Sequence, residues 1–382
     1  MMAIYPVSES SFSEIRKGGY LYVDKTQYIH QMKESGKFFF LSRPRRFGKS
    51  LLISTMENYF RGRRELFRGL AIDRLEPEEW TEYPVLHLDF TRGGYNTPED
   101  LKHVLSKHLD RWEKEYGGPN PNKSPNSRFD SIIRTAYENT GNQVVVLVDE
   151  YDKPIIDASE NTDLETIYRK MLHDFYRVMK ANSDYIKFVF LTGMGKLGHI
   201  NEFADFNNAV DISLNPRYSA ICGFTSDEIN ECFQESIEKI GRFQRCSTED
   251  TLKELADHYG GYHFCRDMVE VYNPYSLIMA FELNQIGDYW MRSSTPSHII
   301  KQYYGTDWGS PDLEGTVASE SVLRSSKVFG NDLPLTCYYF GYLTLKSYDK
   351  RHDTFTLSFP NKETTNVLFS DILKARMKGN II

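Results

Sequence analysis

The apolar positions of this chain fall into two alternating rhythms. Phe38-Phe39-Phe40-Leu41, Pro84-Val85-Leu86-His87-Leu88-Asp89, Val144-Val145-Val146-Leu147-Val148, Ile186-Lys187-Phe188-Val189-Phe190-Leu191 and Ala209-Val210-Asp211-Ile212-Ser213-Leu214 are short runs without helical spacing. They predict strands, and the most continuous of them predict parallel strands covered on both faces. Between them the spacing turns helical, as in Leu51, Leu52, Met56, Tyr59 and Phe60, or Leu101, Val104, Leu105 and Leu109. The same holds for Phe129, Ile132, Ile133 and Tyr137, and for Ile167, Met171, Leu172, Phe175 and Met179. Five strands with crossover helices predict a doubly wound, three-layer α/β core. Residues 1–37 precede it, with Tyr20, Tyr22 and Val23 either flanking a ligand base or packing on the sheet.

The rhythm changes after the fifth strand. Thr225-Ser226-Asp227-Glu228 is a capping signal, and apolar spacing is predominantly helical from there to about Lys301, with turns at Tyr259-Gly260-Gly261-Tyr262 and Asn273-Pro274. This predicts a helical lid domain. From Leu333 to Lys362 the pattern predicts a strand pair, residues 341–346 and 354–359, joined by the charged turn Asp349-Lys350-Arg351-His352-Asp353. With the helices before it, the pair predicts a winged-helix-like unit. Gly117 to Asn126 is a loop insertion rich in breakers.

Candidate chemistry gathers where the first strand meets the first core helix, at Ser42-Arg43-Pro44-Arg45-Arg46-Phe47-Gly48-Lys49-Ser50-Leu51. A loop ending in Gly-Lys-Ser at a helix start turns backbone N–H groups and the positive helix end toward a phosphate chain. Lysine then reaches the outer phosphates, and the hydroxyl ligates Mg²⁺. The full phosphate-loop pattern would place glycine at position 43, where this chain has Arg43. Glycine there allows close backbone approach, and arginine can instead donate charge. Alone, the tripeptide could be a surface turn; the strand before it and the helix after it favour the phosphate loop.

The buried run ending at Val148 leads into Asp149-Glu150. Consecutive acids at the carboxyl end of such a strand suit metal ligation by the first and polarisation of water by the second. Asp149 is thus the expected metal ligand with Ser50, and Glu150 the expected base. Asp152 and Lys153 border the same region without an assignable role. Thr192, at the end of the next strand and before Gly193-Met194-Gly195-Lys196, is either a sensor of the terminal phosphate or a strand cap. Arg61, Arg63, Arg64 and Arg68 read as a solvated face in preference to a nucleic-acid surface, and His87 as a packed strand residue.

Composition narrows the field. The chain has 382 residues, 40% hydrophobic and 26% charged, with net charge −7, so no global field draws it to nucleic acid or anionic membrane. Five scattered cysteines without a C-x-x-C pair argue against a zinc site or disulfide framework and fit a reducing cytoplasm. No signal-peptide pattern opens the chain, and no run is apolar enough to span a membrane.

Tyr22-Val23-Asp24-Lys25-Thr26, Arg43 to Ser50, Val148-Asp149-Glu150-Tyr151-Asp152-Lys153-Pro154 and Leu191-Thr192-Gly193 together resemble the bacterial and archaeal AAA-ATPase-like family. So do Cys222-Gly223-Phe224-Thr225, Tyr272-Asn273-Pro274-Tyr275-Ser276 and Phe359-Pro360-Asn361-Lys362-Glu363. The family's loop has the same R-P-R-R-F-G-K-S form, so Arg43 is in keeping with it. The resemblance implies a P-loop NTPase (AAA+-like) core over residues 1–222, a helical lid over 223–305 and a winged-helix-like unit over 306–382. It implies ATP and Mg²⁺ as ligands, with Arg43, Arg45, Arg46, Phe47, Gly48, Lys49, Ser50 and Leu51 around the nucleotide. Relatives usually continue into a PD-(D/E)XK nuclease-like domain. Here [DE]-x-K occurs only as Asp100-Leu101-Lys102 on a predicted helix, so nuclease activity is not expected.

Two functions compete on these grounds. One is Mg-dependent ATP hydrolysis, with Lys49, Glu150 and Thr192 as catalytic residues, coupled to movement of the second half. The other is a nucleotide-gated switch or adaptor with little or no turnover. A protein partner, an arginine such as Arg217 acting in trans, and DNA binding through the winged-helix-like unit are open expectations.

Overall fold

The computed structural model describes residues 4–78, 80–118, 123–195, 209–290, 297–305, 313–325 and 332–377. Its centre is a five-stranded, all-parallel sheet built from β1 (Phe38–Ser42), β2 (Val85–Asp89), β3 (Val144–Asp149), β4 (Ile186–Gly193) and β5 (Val210–Asp211), in the order β2-β3-β4-β1-β5. Successive side chains leave a strand on opposite faces. Phe38, Phe40, Val144, Val146, Val148, Val189 and Leu191 accordingly bury against the helices Pro98–Tyr116, Pro125–Thr140 and Thr162–Ala181. Phe39, Leu41, Val145, Leu147, Phe188 and Phe190 bury on the other face with the helix Lys49–Phe60. The result is a mixed α/β fold with a three-layer core of phosphate-loop type.

Strand register aligns the carboxyl ends of the central strands. Leu41 and Asp149 both lie opposite Thr192, and Ser42 lies opposite Gly193, so the exits of β1, β3 and β4 come level. The fifth strand is shorter than the predicted Ala209–Leu214 and pairs with β1 through two residues.

Beyond the sheet the helices Ser226–Cys232, Gln234–Gln244, Thr248–Tyr259 and Pro274–Leu283 pack with Val23 and Tyr5 of the N-terminal segment. A small antiparallel pair, β6 (Tyr262–His263) and β7 (Glu270–Val271), interrupts them where helices and turns alone were expected. Farther along, β8 (Val317–Ser319), β9 (Thr344–Asp349) and β10 (Thr354–Ser358) form an antiparallel sheet in the order β8-β10-β9, followed by the helix Lys362–Met377. The strand pair is present, but Leu333–Phe340, assigned above to that pair's span, is a helix. Asp332 caps it through Leu335 N–H, Pro334 occupies its first turn, and burial of Leu335, Cys337, Tyr338 and Tyr339 outweighs their strand-like appearance.

Asp100-Leu101-Lys102 lies in the helix Pro98–Tyr116, where Asp100 forms a capping box with Thr97. The arginines after the first core helix are occupied locally: Arg61 by Glu57 and Glu115, Arg63 by Asn58, Arg64 by Asp73. His87 bonds Glu57 at 2.9 Å, as a packed strand residue would. No helix among the described residues is long and apolar enough to cross a membrane.

Candidate active site

The loop between β1 and the helix Lys49–Phe60 is held by packing. Arg43 is 1% exposed, and its terminal nitrogens donate to the carbonyls of Ser42 (2.9 Å), Ser213 (2.8 Å), Tyr218 (3.1 Å) and Ser219 (3.4 Å), while the guanidinium lies 4.1 Å from the Phe264 ring centroid. Pro44 abuts Gly341, where a Cβ would stand 2.6 Å from Pro44 Cβ. The Arg45 carbonyl accepts from the Trp290 indole N–H at 3.1 Å. Phe47 packs edge-on to Tyr262 and Phe264. Gly48, at φ 91°, caps the helix in left-handed backbone that a side chain would strain.

Lys49 is the centre of this arrangement. Its ammonium donates to the carbonyls of Arg43 (2.9 Å) and Pro44 (3.0 Å) and lies 3.1 Å from Glu150 Oε1. The lysine thus spans its own loop and meets the acid at the end of β3. Glu150 has φ 53°, an uncommon conformation for a non-glycine residue and one that marks functional turns.

Beside this pair two buried oxygens have no hydrogen-bond partner: Asp149 Oδ1 and Thr192 Oγ1. Burial is the main force raising the Asp149 carboxyl to about 6, with Glu150 adding to it and the Ser50 hydroxyl and Lys49 opposing it. Asp152 is pushed up to about 7, by burial first and Glu150 second. Unlike Asp149, it is well bonded: its Oδ2 accepts from Met194 N–H at 3.0 Å and Gly195 N–H at 2.6 Å. Gly193 is required there, since a Cβ would lie 2.4 Å from Asp152 Oδ1.

The Lys49 loop and Glu150 border a cavity of about 690 Å³. Arg45, Arg46, Phe47, Gly48, Lys49, Ser50, Leu51 and Glu150 line it, together with Tyr22, Val23 and Lys25 on one side and Pro274, Tyr275 and Ile278 on another. Arg43 does not line it. Asp149 and Thr192 lie at the level strand exits without lining it, and Lys196 falls outside the described residues. Among the described residues no group of three or more His, Cys, Asp or Glu could hold a metal.

Against this geometry, the family model described as "Predicted AAA-ATPase" matches residues 6–201, which include the loop, the β3 acids and Thr192. The chain belongs to the AAA-ATPase-like family. It is also 32% identical over 363 residues to a protein of Azotobacter chroococcum mcd 1 described as "Uncharacterized protein in vnfD 5'region", covering 94% of this chain and 67% of that one.

In this AAA-ATPase-like chain, sequence reasoning brought Lys49, Ser50, Asp149, Glu150 and Thr192 to one sheet edge. It missed the clasp around them. Asp152 ties the exit of β3 to that of β4. Glu363 Oε1 accepts from Tyr289 N–H (2.6 Å) and Trp290 N–H (2.9 Å), holding the indole that reaches Arg45. Tyr275 lies under Arg46, 4.6 Å from ring centroid to guanidinium carbon. The available signal was the motifs Tyr272-Asn273-Pro274-Tyr275-Ser276 and Phe359-Pro360-Asn361-Lys362-Glu363, which carried resemblance but no assigned role.

Proposed function

We propose that this chain binds ATP with Mg²⁺ and hydrolyses it. The observation that carries the reading is the position of the Lys49 ammonium, bound to two carbonyls of its own loop and to Glu150 at a helix start that opens on the cavity. A loop of this kind suits phosphate, and Gly48, Lys49, Ser50 and Leu51 at the helix start line the cavity.

The residues present suit magnesium. Asp149 offers a buried, unbonded oxygen with Ser50 beside it, and Mg²⁺ is commonly held by one or two protein oxygens with substrate phosphates and water completing its shell. Bound there, the ion would neutralise phosphate charge. Lys49 would leave Glu150 for the outer phosphates, freeing the carboxylate to accept a proton from water. The water oxygen bonds the terminal phosphorus as the bond to the bridging oxygen breaks, giving ADP and inorganic phosphate. Thr192 Oγ1 would meet the terminal phosphate or the water.

In this reading the helices from Ser226 to Leu283 act as the lid, the sheet β8-β10-β9 with its helices as the winged-helix-like unit, and the domain limits stay at 222/223 and 305/306. Five free cysteines support a cytoplasmic location. One observation favours the switch reading: the Lys49–Glu150 pair occupies the base, so turnover would be slow wherever nucleotide fails to break it. Steady-state phosphate release separates the two. Wild type should release phosphate and Glu150→Gln should not, with nucleotide binding retained; zero release by both would favour the switch.

A further inference from the structure

Five cations line the cavity: Lys25, Arg45, Arg46, Lys49 and Lys153. Three are neutralised at close range, Lys25 by Glu228 at 2.5 Å, Lys49 by Glu150 at 3.1 Å and Lys153 by Asp157 at 2.6 Å. Arg45 and Arg46 have no carboxylate partner among the described residues. Glu9 also lines the cavity and accepts from Ser11 N–H at 2.6 Å, so Arg45 and Arg46 are the lining cations without a close carboxylate, both on the loop before the helix Lys49–Phe60.

The two arginines face different ends. Arg46 has φ 69°, and its guanidinium lies over Tyr275, at the start of the helix Pro274–Leu283. Arg45 goes the other way. Its guanidinium carbon is 5.8 Å from the Phe340 ring centroid, and its carbonyl is held by Trp290. Phe340 and Trp290 share one apolar cluster with Ile156 and Met194. Ile156 follows β3, Met194 follows β4, and both line the cavity with Glu150. Arg45 thus lines the same cavity as Ile156, Met194 and Glu150, beside the exits of β3 and β4, where the nucleotide reading puts the reacting end of the ligand.

Resting on the nucleotide reading above, we propose that Arg45 is the cation, supplied by the same chain, that meets the terminal phosphate of a nucleoside triphosphate, whereas Arg46 serves the nucleotide's lid-facing part. A guanidinium at that place binds the charge that distinguishes triphosphate from diphosphate and that spreads over the phosphoryl oxygens during transfer. Hydrolysis then needs no arginine from a second copy. Arg45 is half-buried and forms no hydrogen-bonded ion pair, so its removal costs the fold little.

The test is calorimetric titration of wild type, Arg45→Ala, Arg45→Lys and Arg46→Ala with Mg-ADP and with a non-hydrolysable Mg-ATP analogue, alongside phosphate release across a hundredfold range of protein concentration. Arg45→Ala should weaken the triphosphate analogue at least tenfold more than ADP and lower kcat, with Arg45→Lys recovering part of both. Arg46→Ala should weaken the two nucleotides alike, and wild-type turnover per chain should not change with concentration. Equal losses of both nucleotides in Arg45→Ala, or turnover per chain that rises with concentration, would overturn the assignment while leaving nucleotide binding standing. A wild type that binds neither nucleotide would overturn both.

Discussion

The exits of β3 and β4 and the clasp around Arg43 lie at similar depth, yet they treat polar atoms in opposite ways. Arg43 is 1% exposed, and its terminal nitrogens meet four carbonyls drawn from Ser42 and from the segment 213–219. Asp149 and Thr192 are 3% and 0% exposed, and Asp149 Oδ1 and Thr192 Oγ1 meet nothing. An unmet buried polar group costs about 1–3 kcal/mol. Arg43 keeps one unmet nitrogen, Nε, beside its four bonds, whereas the unmet oxygens of Asp149 and Thr192 stand at the level strand exits. The two differ in how many partners each side chain finds, not in burial.

The comparison breaks first at Lys49. Lys49→Ala should remove Mg-ATP-dependent thermal stabilisation, worth about 2.7 kcal/mol for wild type at a hundred times Kd. Stabilisation unchanged from wild type would mean that the nucleotide, if bound, sits elsewhere. Arg43 tests the other side. Were Arg43 a charge donor to phosphate, Arg43→Ala would merely weaken nucleotide stabilisation; its geometry instead predicts a loss of about 3 kcal/mol from the empty fold in denaturant unfolding, because several carbonyls lose their donor. Similar unfolding midpoints for variant and wild type would contradict the scaffold role.

Glu363 extends the clasp and should give a pH signature. Burial raises its carboxyl to about 7 from an ordinary 4.5, against the two N–H groups that favour its charge. The folded state therefore holds a proton that the unfolded chain has released between these values, and stability falls as pH rises through that window. The contribution is fully present below the lower value and lost above the upper one. Glu363→Gln, measured by urea unfolding at pH 5 and pH 8, should show a pH-dependent loss smaller by about 2 kcal/mol than wild type; an unchanged slope would refute the shift. Smallest is Thr192→Val, which removes an unbonded hydroxyl at nearly constant volume. The empty fold should gain up to about 1 kcal/mol while phosphate release falls, a pairing expected of a site residue and not of a strand cap.

Much of this contrast was legible in the sequence, on one side only. The runs at β1, β3 and β4 are apolar enough to predict buried parallel strands, and Gly48-Lys49-Ser50 and Asp149-Glu150 follow them at positions whose chemistry is local. The clasp was not legible, because Arg43 becomes a strut only through carbonyls some 170 residues away. Leu333–Phe340 was obscured by its aromatic composition, and β6 and β7 by having two residues each. Local pattern announced what each short segment would be; remote packing decided what Arg43, Asp152 and Glu363 were for.

The backbone of Glu150 carries one more consequence. At φ 53° a glutamate sits about 1–2 kcal/mol above what glycine would cost there. The Lys49 ammonium 3.1 Å from its carboxylate offsets that strain, so glycine at this position would relax the backbone only by leaving a buried cation unpaired.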